Sequence, residues 1–214
     1  MYQTVLFDLD GTLLDSFGLI LASFHHTRDV HFGDRLEDDF YLAGIGTTLR
    51  DQLGKMARSA DELDAMIETY KTHNLASHDS HVRAYDGATE TVRALEAANV
   101  KLAIVTGKMR AGARMGLRFL AIEDAFGSIV CGDDVKLGKP HPEPVHRALE
   151  ELGVSAESAV FVGDSVHDMD AGSAAGVATA LAAYGPFGPS LKTKVPPTHS
   201  IQSLAELLPL CASA

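Results

Sequence analysis

The amino-acid sequence predicts an α/β protein: a doubly wound, Rossmann-like parallel sheet with a small all-helical cap inserted near its start. Three observations predict it. Short apolar runs recur at Val5 to Phe7, Leu102 to Val105, around Cys131, at Ala159 to Val162 and at Ala178 to Ala183, and helical patterns alternate with them. That alternation is the rhythm of βαβ units, which place helices on both faces of a parallel sheet. Between the first and second runs lies a long stretch with helical but no strand periodicity. Finally, acids, a hydroxyl and a lysine follow the apolar runs, and the carboxyl edge of an open parallel sheet is where such folds bind ligands.

The first strand ends in Asp8-Leu9-Asp10-Gly11-Thr12. Residues two apart on a strand point the same way, so Asp8 and Asp10 project together where the chain turns at Gly11. Two acids that close repel, and they persist together when a cation neutralises them or when one stays protonated. An Asp after a strand also caps turns, so this motif alone leaves both readings open.

After Ser16 the pattern becomes helical. Phe17, Leu19, Ile20, Leu21, Phe24 and His25 recur near helical spacing, as do Leu63, Met66, Ile67 and Tyr70. Residues 16–82 are therefore expected to form the cap, with 1–15 and 83–214 forming the α/β core. A cap above a strand-end site closes on substrate and excludes water, which places specificity there. Its most suggestive stretch is Gly44-Ile45-Gly46-Thr47-Thr48-Leu49-Arg50. Gly46 and Thr47 permit close approach, and Arg50 is a candidate partner for a second anionic group. The same residues fit a helix start capped by Thr47 with Arg50 solvated.

The core resumes at Asp86-Gly87-Ala88-Thr89-Glu90, read as an N-cap and acidic first turn. The run Leu102 to Val105 ends in Thr106-Gly107-Lys108, just before a helical stretch from Arg110 to Leu120. A hydroxyl and free backbone N–H groups at a helix entrance make a phosphate seat. Lys108 has the length to reach that seat or the solvent, and it joins the candidate specificity residues. In Gly138-Lys139-Pro140-His141-Pro142-Glu143-Pro144, prolines pin the loop and open a helix, which holds Lys139 where it can neutralise charge. The run Ala159 to Val162 leads into Gly163-Asp164-Ser165-Val166-His167-Asp168 and a small-residue helix through Ala175. Asp164 and Asp168 thus fall near a third strand end, with His167 at the expected site entrance. Ala178 to Ala183 is a fifth strand, and the Gly-, Pro- and Lys-containing segment Gly185 to Pro197 is expected to be a mobile loop.

Asp8-Leu9-Asp10-Gly11-Thr12-Leu13-Leu14-Asp15-Ser16, Val105-Thr106-Gly107-Lys108, Lys139-Pro140 and Gly163-Asp164-Ser165 with Asp168 together resemble the four signature motifs of the haloacid dehalogenase (HAD) superfamily, in order, from residue 4 to about 176. Within it the chain resembles the magnesium-dependent phosphatases. The resemblance implies that Asp8 is the nucleophile and that Asp10 protonates the leaving oxygen and then activates water. It implies Mg²⁺ ligands in the Asp8 side chain, the Asp10 backbone carbonyl and the Asp164 side chain, with Asp168 acting through water or as support. It also implies that Thr106, Gly107, Gly11 and Lys139 hold the phosphoryl group, with Thr106 and Lys139 part of the catalytic set. Dehalogenases lack an acid at position 10 and phosphonatases carry a small residue there, so Asp10 favours phosphoryl transfer.

Ser23-Phe24-His25-His26-Thr27, Tyr70-Lys71-Thr72-His73-Asn74 with His78-Asp79, and Asp133-Asp134-Val135 through Val145 resemble the phosphoglycolate phosphatase-like branch with a helical cap, and its bacterial pyrophosphatase-type members. The implied activity is hydrolysis of a small phosphate compound, phosphoglycolate or inorganic pyrophosphate. Two alternatives are a sugar phosphomutase, which needs a cap acid-base and sugar contacts, and a non-catalytic phosphate-binding protein, which would be expected to have lost part of the charged set.

Composition sets the outer bounds. A chain of 214 residues and 22.8 kDa buries one large core with room for a smaller insert. The formal charge of −11 disfavours nucleic acid and anionic membrane as partners, so a small anionic substrate must be drawn by local positive groups. Two cysteines, Cys131 and Cys211, are too few for a disulfide scaffold and are expected to be reduced. The absence of a long apolar run and of a leader-like start points to the cytoplasm, and the protein is expected to be a monomer or homodimer. His25, His26, His73, His78 and His81 match no zinc spacing.

Overall fold

The computed structural model describes residues 1–188, 191, 193 and 196–211. In chain order, β1 (Thr4–Phe7) turns into β2 (Leu14–Asp15), and the helices α1 (Phe17–Phe32), α2 (Asp38–Leu42), α3 (Leu49–Gly54) and α4 (Ala60–His81) follow. Next come β3 (Arg83–Ala84), α5 (Ala88–Ala97), β4 (Lys101–Val105), α6 (Arg110–Phe119), β5 (Ser128–Val130), α7 (Glu143–Leu152), β6 (Ala159–Gly163), α8 (Val166–Ala174), β7 (Ala178–Ala182) and β8 (His199–Ile201).

Six of these strands form one sheet in the order β5-β4-β1-β6-β7-β8, and every neighbouring pair is parallel. Val5 sits opposite Leu102 and Val160, and Phe7 opposite Ile104 and Val162. Side chains alternate across the sheet, so these residues enter one apolar cluster with Val92, Leu95, Ala113 and Leu117 of α5 and α6. Leu6, Ala103, Val105 and Phe161 point the other way, into a second cluster with Val145, Ala148, Leu149 and Ala171 of α7 and α8. Burial on both faces explains why these strands read as continuous apolar runs, each large side chain contributing about 1.5–3 kcal/mol. The doubly wound sheet expected from the strand–helix alternation is present.

The helices α1 to α4 enclose a separate cluster of Ile20, Phe24, Tyr41, Leu49, Leu53, Met66, Ile67 and Tyr70. Phe24 stacks on Tyr41 with centroids 5.1 Å apart and packs against Tyr70 at 4.8 Å. At the N-terminus of α4 the Ser59 side chain accepts from the Glu62 N–H, and Asp61 and Glu62 place negative charge in the first turn. The strands β2 and β3 pair antiparallel, Leu14 with Ala84 and Asp15 with Arg83, and bracket the four helices.

Several local expectations shift. The strand expected around Cys131 ends at Val130, leaving Cys131 buried just beyond it. The sixth strand, β8, and the short β2–β3 pair carry no readable periodicity. Helix α5 is capped by Gly87 in the left-handed conformation (φ 75°) without a side-chain bond, so Asp86 is not its cap. Helix α3 is capped by Thr48, whose side chain accepts from the Asp51 N–H, one residue later than Thr47. Residues 189, 190, 192, 194 and 195 of the segment expected as a mobile loop lie outside the described residues. Cys131 and Cys211 are both free. Among the described residues, no helix is long and apolar enough to cross a membrane.

Candidate active site

Because β4, β1 and β6 are adjacent and parallel, the residues that follow them emerge side by side at one edge: Thr106 after Val105, Asp8 after Phe7, Asp164 after Gly163. The α8 N-terminus adds Asp168 from the next turn. Asp8, Asp164 and Asp168 each bring a carboxylate oxygen within 4.8 Å of the others, and their residues are 3%, 1% and 0% exposed.

Lys139 lies among them. Its Nζ is 3.0 Å from Asp8 Oδ1, and it donates to Asp168 Oδ1 at 2.6 Å and to the Val105 carbonyl at 3.2 Å. Asp168 Oδ2 accepts from the Ser165 N–H and hydroxyl at 3.0 and 2.6 Å, closing a reciprocal capping box on α8. Both Asp168 oxygens are therefore engaged, one fixing the lysine and one fixing the helix. Asp164 differs: both its carboxylate oxygens are buried without a hydrogen-bond partner.

Three carboxylates around one ammonium leave excess negative charge in a dry place. Burial pushes the Asp8 carboxyl up, Lys139 opposes this, and the charges of Asp168 and Asp10 add to it, leaving it at about 7. Burial, then Asp168 and Asp8, hold Asp164 well above the ordinary carboxylate range. Burial pulls the Lys139 ammonium down, but Asp168 and Asp8 more than offset this and keep it above the ordinary lysine value. Two unpartnered oxygens of a buried carboxylate beside a second carboxylate are a fitting donor set for a hard divalent cation.

Asp10 is held from two sides. Ser16 donates to its Oδ1 at 2.5 Å, and the Lys108 ammonium approaches Oδ1 and Oδ2 at 3.0 and 3.2 Å. Lys108 thus reaches the site, with its side chain only 8% exposed. The Thr106 hydroxyl oxygen accepts from the Lys108 N–H at 3.2 Å.

Glycines set the close approaches. Gly11 adopts φ +83°, and a Cβ there would lie 2.2 Å from Asp164 Oδ2. Its N–H is donated to the Leu14 carbonyl at 2.8 Å, so Gly11 does not present a free donor to phosphate and serves instead by lacking a side chain. A Cβ on Gly107 would lie 2.4 Å from the Thr47 carbonyl oxygen, and one on Gly46 (φ +95°) 2.7 Å from Ser165 Oγ. Thr48 Cγ2 would be 2.3 Å from a Cβ on Gly138. The segment 46–48 is therefore seated on three loops of the sheet edge. His167 lies at this seam beside Gly46, where burial lowers its pKa.

A cavity of ≈ 60 Å³ opens between the two layers, lined below by Asp8, Asp10, Thr106, Gly107 and Lys108 and above by residues including Phe24, Gly46, Thr47, Tyr70 and Asn74. Arg50 does not join it. Leu49 and Leu53 take the buried side of α3, which turns position 50 outward, and its guanidinium pairs with Asp64 at 2.6 Å with both side chains more than 60% exposed. Tyr70 and Asn74 were not singled out from the sequence as site residues. Asn74 is 5% exposed and donates to Ser23 Oγ at 3.2 Å, and an Asn four residues after Tyr70 on an otherwise apolar helix face was the available signal.

A family model described as haloacid dehalogenase-like hydrolase matches residues 5–182. The chain is 38% identical over 206 residues to the pyrophosphatase PpaX of Halalkalibacterium halodurans, covering 96% of this chain and 95% of that one. It is 41% identical to the pyrophosphatase PpaX of Bacillus pumilus, covering 96% and 94%. Among solved structures it is similar to a Lactobacillus plantarum protein provisionally assigned as a phosphoglycolate phosphatase, with a TM-score of 0.86, 26% identity, and 98% and 99% of the two chains covered.

Proposed function

The chain belongs to the haloacid dehalogenase-like hydrolase family and is a phosphatase-type enzyme, and on that premise we propose that it is a Mg²⁺-dependent hydrolase of a small phosphate compound, acting through an aspartyl-phosphate on Asp8. Inorganic pyrophosphate is the favoured substrate, in line with the relatives at 38% and 41% identity that bear that activity in their names, and phosphoglycolate is next. The observation that carries the reading is the buried Asp8 carboxylate, which lines the cavity floor, stands 3.0 Å from Lys139 and neighbours the partnerless carboxylate of Asp164.

In this reading Asp8 attacks phosphorus, forming an oxygen–phosphorus bond as the bond to the leaving oxygen breaks and that oxygen keeps the electron pair. Asp10 gives the leaving oxygen a proton where the leaving group needs one. It then takes a proton from water, whose oxygen bonds to phosphorus as the Asp8–phosphate bond breaks, releasing orthophosphate and the Asp8 carboxylate; Asp10 regains the proton it gave or, where it gave none, passes the new one to the departing phosphate. Ser16 and Lys108 hold Asp10 in place for both steps. Thr106 and the N–H groups around Gly107 receive phosphoryl oxygens, and Lys139 offsets the charge on Asp8 and phosphate together. Mg²⁺ would be held by the Asp8 and Asp164 carboxylates and the Asp10 carbonyl, where, when bound, it neutralises negative charge on the phosphoryl group. Asp168 acts in support, since its oxygens hold Lys139 and the start of α8. Residues 16–82 act as the cap, excluding water and presenting Gly46, Thr47 and Tyr70 to the substrate.

The test is phosphate release from pyrophosphate, phosphoglycolate, sugar phosphates and nucleotides, with and without Mg²⁺. Pyrophosphate should be hydrolysed only with the metal, and Asp8→Asn should lower turnover by at least about ten-thousandfold while the protein stays folded. Substantial turnover by that variant, or release without a divalent cation, contradicts the reading.

A further inference from the structure

We propose that Lys108 is a specificity-determining residue: its ammonium group meets the charge of the departing fragment and so selects substrates whose leaving group is itself an anion, phosphoanhydrides above all, over monoesters of neutral alcohols. The proposal rests on the aspartyl-phosphate reading and deepens it, because it assigns the second half of the substrate.

Two lysines bracket the reacting groups. Lys139 stands 3.0 Å from the nucleophile Asp8, and Lys108 stands 3.0 and 3.2 Å from the two oxygens of Asp10, the group that serves the leaving side. Lys108 lines the cavity, whereas Lys139 is 2% exposed and packed against Asp8 and Asp168. Lys71, the other lysine of the lining, is a weaker candidate: its side chain is 36% exposed and pairs with Glu68 at 3.4 Å. The walls above Lys108 are mainly apolar, with Ile20, Phe24, Ile45 and Leu49 among them, so its charge acts through a low-dielectric space.

The path of the lysine stem is built into the fold. A Cβ on Gly112 of α6 would lie 3.1 Å from Lys108 Cε and 3.6 Å from Cδ and Cγ. Glycine inside a helix costs about 1 kcal/mol against alanine, and here it leaves the groove along which Lys108 reaches the cavity. On attack, the Asp8 oxygen bonds to one phosphorus of hydrogen pyrophosphate while the bond from that phosphorus to the bridging oxygen breaks. The bridging oxygen keeps the electron pair and departs in hydrogen phosphate, whose proton arrived on the outer phosphoryl group. Lys108 keeps its proton throughout and matches the negative charge that the departing phosphate carries on its outer oxygens as well as on the bridging one, a charge that a departing phenol lacks beyond its single oxygen.

The experiment compares kcat/KM for pyrophosphate and for phenyl phosphate, with Mg²⁺, in the wild type, Lys108→Met, Lys108→Arg and Gly112→Ala. Lys108→Met should lower the pyrophosphate-to-phenyl-phosphate ratio by about a hundredfold, with the loss mainly in kcat, and Lys108→Arg should restore part of it. Gly112→Ala should lower the same ratio by about tenfold by crowding the lysine stem, although alanine favours the helix. A Lys108→Met enzyme that loses both activities in equal proportion overturns the inference and leaves the aspartyl-phosphate reading standing. A wild-type enzyme that hydrolyses neither compound overturns both.

Discussion

At the carboxyl edge of the sheet the buried side chains are charged and polar, whereas in the helical layer above they are mostly apolar or aromatic, with Ser23, Thr27, Asn74 and His78 the buried polar ones among the described residues. Asp8, Asp10, Thr106, Lys139, Asp164 and Asp168 are all 9% exposed or less. The layer of α1 to α4 buries Phe24, Tyr41, Leu53, Met66 and Tyr70, and its segment 46–48 meets the edge at close approaches that Gly46, Gly107 and Gly138 permit. The lower region is held by charges that are costly to bury singly: removing one partner of a buried pair costs about 3–5 kcal/mol. The upper region is held by shape. In the proposed reading, reaction chemistry is concentrated in residues that depend on one another, while the helical layer supplies the surface that meets the rest of the substrate.

The sharpest way to break this contrast is at the charge left unsatisfied. Asp164→Asn should cost more than about a hundredfold in turnover, the upper end of what loss of an outer support to a metal ligand costs. It should also abolish the rise in melting temperature expected from Mg²⁺ in the wild type, and raise the stability of the metal-free protein by about 1 kcal/mol, because a buried, repelled carboxylate has been neutralised. Thermal melts with and without Mg²⁺ check both signs. A smaller effect is expected from shape alone. Gly107→Ala drives a methyl group toward the Thr47 carbonyl and should lift the upper layer from the edge, lowering kcat/KM by about tenfold to a hundredfold with Mg²⁺ affinity retained. Steady-state kinetics with a metal titration separate the two. Least of all, Arg50→Ala removes an exposed ion pair with Asp64 and should change stability by no more than about 0.5 kcal/mol and kcat/KM by less than about twofold. Denaturant unfolding and the same kinetics test that.

What the sequence makes legible follows the same division. The strands β1, β4, β6 and β7 are four- or five-residue apolar runs buried on both faces, so their composition declares them. β8 buries only Ile201 in full, and β2 and β3 are two residues each, so their pairing is decided by tertiary contacts that leave no local pattern. The gathering of Asp8, Thr106, Lys139, Asp164 and Asp168 was legible because parallel strands deliver their ends to one edge. The direction of Lys108 was not, since four rotatable bonds separate its charge from the backbone and the groove at Gly112 is a property of packing. Of the two readings of Arg50 the solvated one holds, because its direction depends on the phase of α3, which Leu49 and Leu53 settle. For Gly11 the turn decides: its N–H is already bonded to Leu14, which no local spacing reveals.

In the proposed mechanism Asp8, within the paired charges of the edge, carries the phosphoryl group. Its most direct test is an acid quench of the enzyme during turnover of phosphorus-labelled pyrophosphate with Mg²⁺, followed by mapping of the labelled peptide. A hydroxylamine-sensitive label is expected on Asp8 and is expected to be absent from Asp8→Asn. Label at another residue, or turnover with no covalent label at any quench time, would contradict it.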